Sequence, residues 1–420
     1  MIFVLLVFTV LSVALSYNVL RPLYRHPKWI VPSFLLGWLT GELALHVVAF
    51  QLIVIFFMAW GGIITGFWGA LALVACVISW MALAYHYYSG YKAKMLMDSI
   101  VIPHRQDGAV CVWGRHSELD LTRLINPFSS WRDDKVELIK DIVYHEVDGF
   151  RLKLDIRRPR TITQDLQASP VLFQIHGGAW THGYGSKKEQ GIPLMVEMAK
   201  RGWVCVSIDY RLSPKATFPD HIIDCKRALI WVKENIPQYG GDPDFIVTTG
   251  GSAGGHLSSL LALSANVPEF QPEFEHSDTQ VQGCVPYYGI YDLLDTKKIQ
   301  LSLGLDIILR KSIIKQTKIE KPDLYRLMSP ISHINEDAPP FMVVHGDKDS
   351  LTSLGEAQYF ASELDAVSKQ TVDFAEIPGA QHAFDIFSSL RSDYVMLGVA
   401  ERLGQWHRDF NMQVTSEKRG

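Results

Sequence analysis

The stretch "TTGGSAGGHLSS", residues 248–259, joins two different hydrophobic patterns. The run leading into it, "FIVTTGG", is β-branched and apolar and reads as a buried strand. The run leaving it, "HLSSLLALSA", reads as a helix. Ser252 sits at the junction, in a G-x-S-x-G pattern formed with Gly250 and Gly254. Small neighbours permit a sharp strand-to-helix turn that pushes the hydroxyl out of the chain. A serine hydroxyl is a weak nucleophile at neutral pH. It needs a base for its proton and amide donors for the oxyanion it creates. The start of the helix behind it also favours developing negative charge.

Residues that supply those needs lie on either side. "HGGAW", His176–Trp180, follows the strand-like "PVLFQI". Its glycines let the backbone come close to a ligand, so Gly177 and Gly178 are candidate oxyanion donors, with Ala253 as the third. His176 itself reads as structural, holding the loop by hydrogen bonding. Downstream, "VVHGDKDSL" places Asp347 and Asp349 after a strand, and "IPGAQHAFDIF" places His382 in a loop after another. Histidine changes charge near neutral pH, which suits a general base. Asp349 is preferred as its partner, because Asp347 is nearer the strand and turn, where a structural bond is expected. Ser252, Asp349 and His382 follow in the chain order of a nucleophile–acid–base triad on an α/β sheet.

The surrounding pattern fits such a sheet. "VELIKDIVYHEV" and "FRLKLDIRRP" read as two antiparallel strands. "PVLFQI", "WVCVSIDY", "DFIVTTGG", "VQGCVPYYG", "PPFMVVHGD" and "TVDFAEIPG" read as further strands, with helical segments between several of them. This alternation predicts an α/β fold with a mostly parallel sheet covered on both faces. The catalytic domain is expected to span 136–415. Within it, residues 293–333 form an unusually long connection, read as a partly helical, amphipathic lid. Residues 91–135 read as a linker and part of the lid.

The chain has 420 residues, a net charge of −4 and 48% hydrophobic residues. Nothing in that charge suggests a polyanion-binding surface, so nucleic acid is not an expected partner. The hydrophobic excess lies in residues 1–90. "MIFVLLVFTVLSVALSYNVL" carries no charge and is long enough to span roughly 30 Å of hydrocarbon. A second run, from Val31 to Ala59, is interrupted by Glu42, His46 and Gln51. A third runs from Ile63 to about Tyr85 and ends in the aromatic "YHYYSGY". Gly61 and Gly62 read as a tight turn between the last two. Three membrane helices are predicted, an all-α transmembrane region that makes the chain a multi-pass membrane protein. Arg21, Arg25, Lys28, Lys92 and Lys94 lie on one side, which places that side and the catalytic domain in the cytoplasm. Glu42 and His46, four residues apart, are read as one face of the second helix, near the interface or holding helices together. The five cysteines, Cys76, Cys111, Cys205, Cys225 and Cys284, show no paired spacing and read as reduced thiols.

With these residues in place, a resemblance can be named. His176-Gly177-Gly178, "DYRLSP" at 209–214, "GGSAGG" at 250–255, "HGDKD" at 345–349 and "GAQHAF" at 379–384 resemble the hormone-sensitive-lipase-like branch of the α/β-hydrolases, its bacterial carboxylesterases and lipases. The resemblance covers about residues 140–410. It implies the α/β-hydrolase fold and ester hydrolysis through an acyl-serine, with no metal and no cofactor. Two positions depart from the family pattern: Ala179 stands where a third glycine is usual, and Gly251 where an aspartate is usual. The membrane helices are not part of the family's common core. Tethered to a bilayer, such a domain is expected to act on lipophilic esters of short to medium acyl chain. Rival readings are an amide deacylase, peptidase or acyltransferase on the same fold, or an inactive membrane-bound scaffold. A transporter is excluded by the bulk of non-membranous chain. The sequence does not specify an oligomeric state.

Overall fold

The computed structural model describes residues 2–24, 28–102, 121–161, 168–300 and 303–417. Arg25, Cys111 and residues 103–120 of the expected linker lie outside them. The chain begins with helices α1 (Ile2–Leu20), α2 (Ile30–Glu42), α3 (Ala44–Trp60) and α4 (Gly66–Tyr88), followed by α5 (Tyr91–Val101). Two apolar stretches are long enough to cross a membrane, Ile2–Leu20 and Gly66–Val101. The pair α2 and α3 would make a third, but its axis turns by 87° at Leu43. The single second helix expected from the sequence is therefore two. Gly61 and Gly62 form the expected turn, with Gly62 at φ 68°. Polar contacts hold α1 against α4: the Ser16 and Ser79 hydroxyls are 2.5 Å apart, and Thr9 Oγ1 lies 3.6 Å from Cys76 Sγ. Small hydroxylated residues allow that close helix approach.

Residues 136–377 form an eight-stranded sheet: β1 (Val136–Val147), β2 (Phe150–Pro159), β3 (Ser169–Ile175), β4 (Val204–Ile208), β5 (Gly241–Gly251), β6 (Gly283–Tyr287), β7 (Phe341–Gly346) and β8 (Val372–Ile377). Their spatial order is β1-β2-β4-β3-β5-β6-β7-β8. β1 and β2 pair antiparallel, as does β2 with β4, and the remaining pairs are parallel. Side chains alternate between two cores, as the period of a strand requires. Val171, Phe173 and Ile175 face one core, while Leu172 faces the other.

Helices cover both faces. α6 (Ile192–Lys200), α7 (Asp220–Asn235), α8 (Ala253–Leu263), α9 (Leu354–Asp365) and α10 (Leu390–Glu417) follow in chain order. α7, α8 and α9 pack on one face through Leu229, Leu257 and Phe360. α6 and α10 pack on the other through Met195 and Trp406. α6 has no signal in the sequence reading: its "IPLMVEMAK" is buried almost all round, so no polar face marks a helical period.

The expectation for residues 91–135 changes in its described parts. α5 is not a linker. Ala93 and Met97 are fully buried in the second core beside α10, and Val101 at the end of the helix is fully buried too. A Cβ at Gly398 of α10 would come within 2.5 Å of Met97 Cε, so this glycine is what lets α5 lie so close. Among its described residues the insertion at 293–333 is helical in four short pieces, Leu303–Ile308, Leu309–Ile313, Pro322–Met328 and Pro330–His333. Leu309, Ile313, Tyr325 and Met328 belong to the core of the first face. The four described cysteines are free and buried.

Candidate active site

Ser252 takes a backbone conformation that few residues with a side chain adopt. Its φ of 57° and ψ of −121° are unfavourable for a residue with a Cβ. Neighbouring contacts hold it there: its amide donates to Tyr287 O at 3.0 Å, and its carbonyl accepts from His256 N at 2.9 Å. The flanking glycines have a steric reason. A Cβ at Gly250 would lie 2.6 Å from Gly254 O, and one at Gly254 only 2.1 Å from Ile175 O. The turn closes only because both side chains are absent. The Ser252 side chain is partly exposed, at the C-terminal edge of the sheet.

The His176–Trp180 loop lies against this corner. A Cβ at Gly177 would sit 2.3 Å from Gly251 O and 3.2 Å from Ser252 Cβ. The Gly177 amide, expected as an oxyanion donor, is not available. It donates to Gln190 Oε1 at 2.6 Å. The chain then turns left-handed at Gly178, Ala179 and Trp180, with φ of 112°, 51° and 57°. Among the described residues the amides of Gly178, Ala179 and Ala253 have no hydrogen-bond acceptor. The free donors of the loop are thus one residue further along than the sequence suggested, and Gln190 is the reason.

His176 is structural. Its Nδ1 is 2.7 Å from Gly177 O, its ring stacks on Tyr210 at 4.5 Å, and burial pushes its pKa down to about 4. The "DYRLSP" motif supports this loop from behind. Tyr210 Oη donates to His176 O at 3.0 Å, and Ser213 N to Trp180 O at 2.8 Å. Arg211, paired with Asp224 at 2.9 Å, fixes the motif to α7.

His382 and Asp349 are brought together. His382 Nδ1 lies 2.7 Å from Asp349 Oδ2, and both residues are buried. Asp349 Oδ1 also accepts from the amides of Leu351 at 2.8 Å and Thr352 at 2.9 Å, and its Oδ2 from the Thr352 hydroxyl at 2.8 Å. Burial alone would raise the carboxyl's pKa. The His382 imidazole and these donors outweigh it and hold the group below the usual carboxylate range. With Nδ1–H committed to Asp349, the lone pair of the imidazole is on Nε2. Asp347 points elsewhere and accepts from Gly379 N at 2.6 Å.

The Ser252 hydroxyl makes no hydrogen bond among the described residues, to His382 or to any other. Tyr288 lies beside both. Its ring centroid is 4.5 Å from that of His382, and its hydroxyl would be 2.7 Å from a Cβ at Gly251. Tyr288 Oη donates to Asp385, which fixes the ring. This accounts for glycine at 251: the phenol fills the space a side chain would take. Tyr288, Thr352 and Gln190 carry no sequence signal, because their roles depend on which loops meet. Among the described residues no cluster of His, Cys, Asp and Glu is arranged to hold a metal ion. A cavity of about 980 Å³, lined by Phe245, Trp406 and Met412, lies at the opposite edge of the sheet, away from these groups.

The BD-FAE family model matches residues 154–364. The chain is 40% identical to the probable carboxylic ester hydrolase LipM of Mycobacterium tuberculosis, over 95% of this chain and 92% of that one. It belongs to the BD-FAE α/β-hydrolases. Esterase LipQ of the same organism is 45% identical over 60% of this chain and 58% of its own length. The apo form of Thermogutta terrifontis esterase 2 superposes with a TM-score of 0.52 at 25% identity, covering 67% of this chain and 96% of that one. The sheet is therefore that of an α/β-hydrolase, and the protein is a carboxylic ester hydrolase. As an α/β-hydrolase it carries, in addition, apolar helices long enough to cross a membrane.

Proposed function

We propose that the chain is a membrane-anchored serine esterase acting on lipophilic esters of short to medium acyl chain through an acyl-serine intermediate. The buried Asp349–His382 pair beside a strained, partly exposed Ser252 is the observation that carries this reading. Ser252 Oγ attacks the ester carbonyl carbon while His382 Nε2 takes its proton. The carbonyl π electrons move to oxygen, and the oxyanion is received by the free amides of Gly178, Ala179 and Ala253. One such donor is worth roughly 3 kcal/mol of barrier. Asp349 holds the imidazole tautomer and offsets the charge His382 acquires. Collapse of the oxyanion breaks the ester C–O bond, and the alkoxide leaves with the proton from His382. Water, deprotonated by the same imidazole, then releases the acid and restores Ser252. A loose serine–histidine contact is common before substrate binds and tightens in the complex.

α1 and α4, with the α2–α3 segment, support a bilayer location. Arg21, Lys28, Lys92 and Lys94 flank the helix ends nearest the catalytic domain, which favours a cytoplasmic active site. Ser252→Ala is the direct test. Hydrolysis of p-nitrophenyl esters by the full-length protein should fall by about 10⁶-fold, and labelling by a fluorophosphonate probe should vanish. A variant that keeps its rate, or a probe bound at another residue, refutes the mechanism.

A further inference from the structure

α2 packs on the proposed active site. Phe34 meets the His382 ring edge-on, with centroids 5.8 Å apart and planes at 81°. It stacks on Trp38 at 5.8 Å, Trp38 contacts Phe387 at 5.3 Å, and Phe387 contacts Phe128 at 5.7 Å. These rings form a continuous aromatic path from the imidazole to Phe128, which is 54% exposed. Gly37 faces the same loop: a Cβ there would be in ordinary contact, 3.7 Å, with Gln381 Nε2, one residue before His382.

The other face of α2 is apolar and open. Leu36 is 50% exposed and Leu39 41%, and the surface continues into α3 through Phe56 and Phe57, each 60% exposed. Water does not favour such a surface, and hydrocarbon does. α3 is about 26 Å long at 1.5 Å per residue, close to the apolar thickness of a bilayer. If α3 stands along the membrane normal, the 87° bend lays α2 close to the membrane plane. α2 then separates lipid on one side from His382 on the other. Asn18 Nδ2 donates to Ser33 O at 2.8 Å, fixing the start of α2 to the end of α1.

We infer that α2 is one wall of the ester-binding site, where Phe34 and Trp38 receive the hydrocarbon tail of a substrate entering sideways from the bilayer. This rests on the assignment of Ser252 and His382 above. It assigns specificity to a membrane-associated segment that lies more than 90 residues before the catalytic sheet begins.

The test uses full-length protein in lipid nanodiscs, with p-nitrophenyl acetate and p-nitrophenyl decanoate. The readout is the ratio of kcat/KM for decanoate to that for acetate. Phe34→Ala and Trp38→Ala should each lower the ratio by about tenfold, the scale of one or two lost apolar contacts. Phe34→Leu, which keeps bulk but not the ring, should lower it less. Leu36→Ala, on the lipid-facing side, should leave it at the wild-type value. Fluorophosphonate labelling of Ser252 reports that each variant is folded. An unchanged ratio in labelled Phe34→Ala and Trp38→Ala, or an equal loss on both esters, overturns the inference. If Ser252→Ala is inactive while the Phe34 and Trp38 ratios stay fixed, only this inference fails. If Ser252→Ala stays active, the underlying site assignment fails instead.

Discussion

Replacing Glu42 with alanine should loosen the membrane helices from the catalytic domain. Glu42 ends α2, and its Oε1 lies 2.7 Å from Arg391 Nη1, with side-chain exposures of 1% and 3%. Its second oxygen accepts from the Ser389 hydroxyl at 2.5 Å. Arg391 also donates from Nε to Pro378 O at 2.7 Å, and its Nη2 lies 3.3 Å from His86 Nε2 on α4. One guanidinium therefore joins α2, α4 and the loop that carries His382. Glu42→Ala strands that charge where water does not reach it. Breaking a buried pair from one side costs about 3–5 kcal/mol. At about 2 °C per kcal/mol for a large domain, Tm should fall by roughly 6–10 °C. Replacing both partners with methionine removes the charges together and should recover more than half of the loss, since an apolar pair of similar volume is often neutral. Thermal melts of the detergent-solubilised protein, followed by tryptophan fluorescence, provide the measurement, with ester turnover recorded in parallel. A shift within about 2 °C for Glu42→Ala would match a solvent-exposed pair and refute the claim that this contact anchors the helices.

Two further outcomes are expected. Asp349→Asn should lower kcat by about 10⁴-fold by favouring the wrong imidazole tautomer, whereas Asp347→Asn should cost less than about tenfold, and steady-state assays on the two variants separate the neighbouring carboxylates. Glu356 accepts from the amides of Tyr291 at 2.6 Å and Asp292 at 2.9 Å, yet burial raises its pKa from 4.5 to about 7. The folded state thus holds this proton more tightly than the unfolded one. Its contribution, about 3 kcal/mol, is complete below pH 4.5 and disappears as pH rises through 7. Glu356→Gln should flatten the slope of Tm across that window, and an unchanged slope would exclude Glu356 as its source.

The tie between Glu42 and Arg391 corrects one reading of the sequence. Glu42 and His46, taken as neighbours on one helical face, are separated by the break at Leu43. Glu42 faces Arg391, and His46 Nε2 lies 3.0 Å from Ile125 O. The bend falls directly after Glu42, but a charged residue within an apolar run does not by itself say whether the helix continues straight past it.

Local chemistry made much of the protein legible in its sequence. Strands β3 to β8 are largely apolar runs bounded by turn residues, β1 and β2 mix apolar and charged residues, and each forms where its pattern placed it. Gly250 and Gly254 announced the sharp turn at Ser252 because no side chain fits there, and the residues around His382 and Asp349 announced loops at strand ends. Tertiary structure alone decided which groups those loops meet. Gln190 takes the Gly177 amide and shifts the free donors to Gly178 and Ala179. Tyr288 fills the space beside Gly251, and Phe34 reaches His382 from a helix near the chain's start. These contacts join residues far apart in sequence, and whether they form depends on how the packed elements approach one another, which no local periodicity encodes.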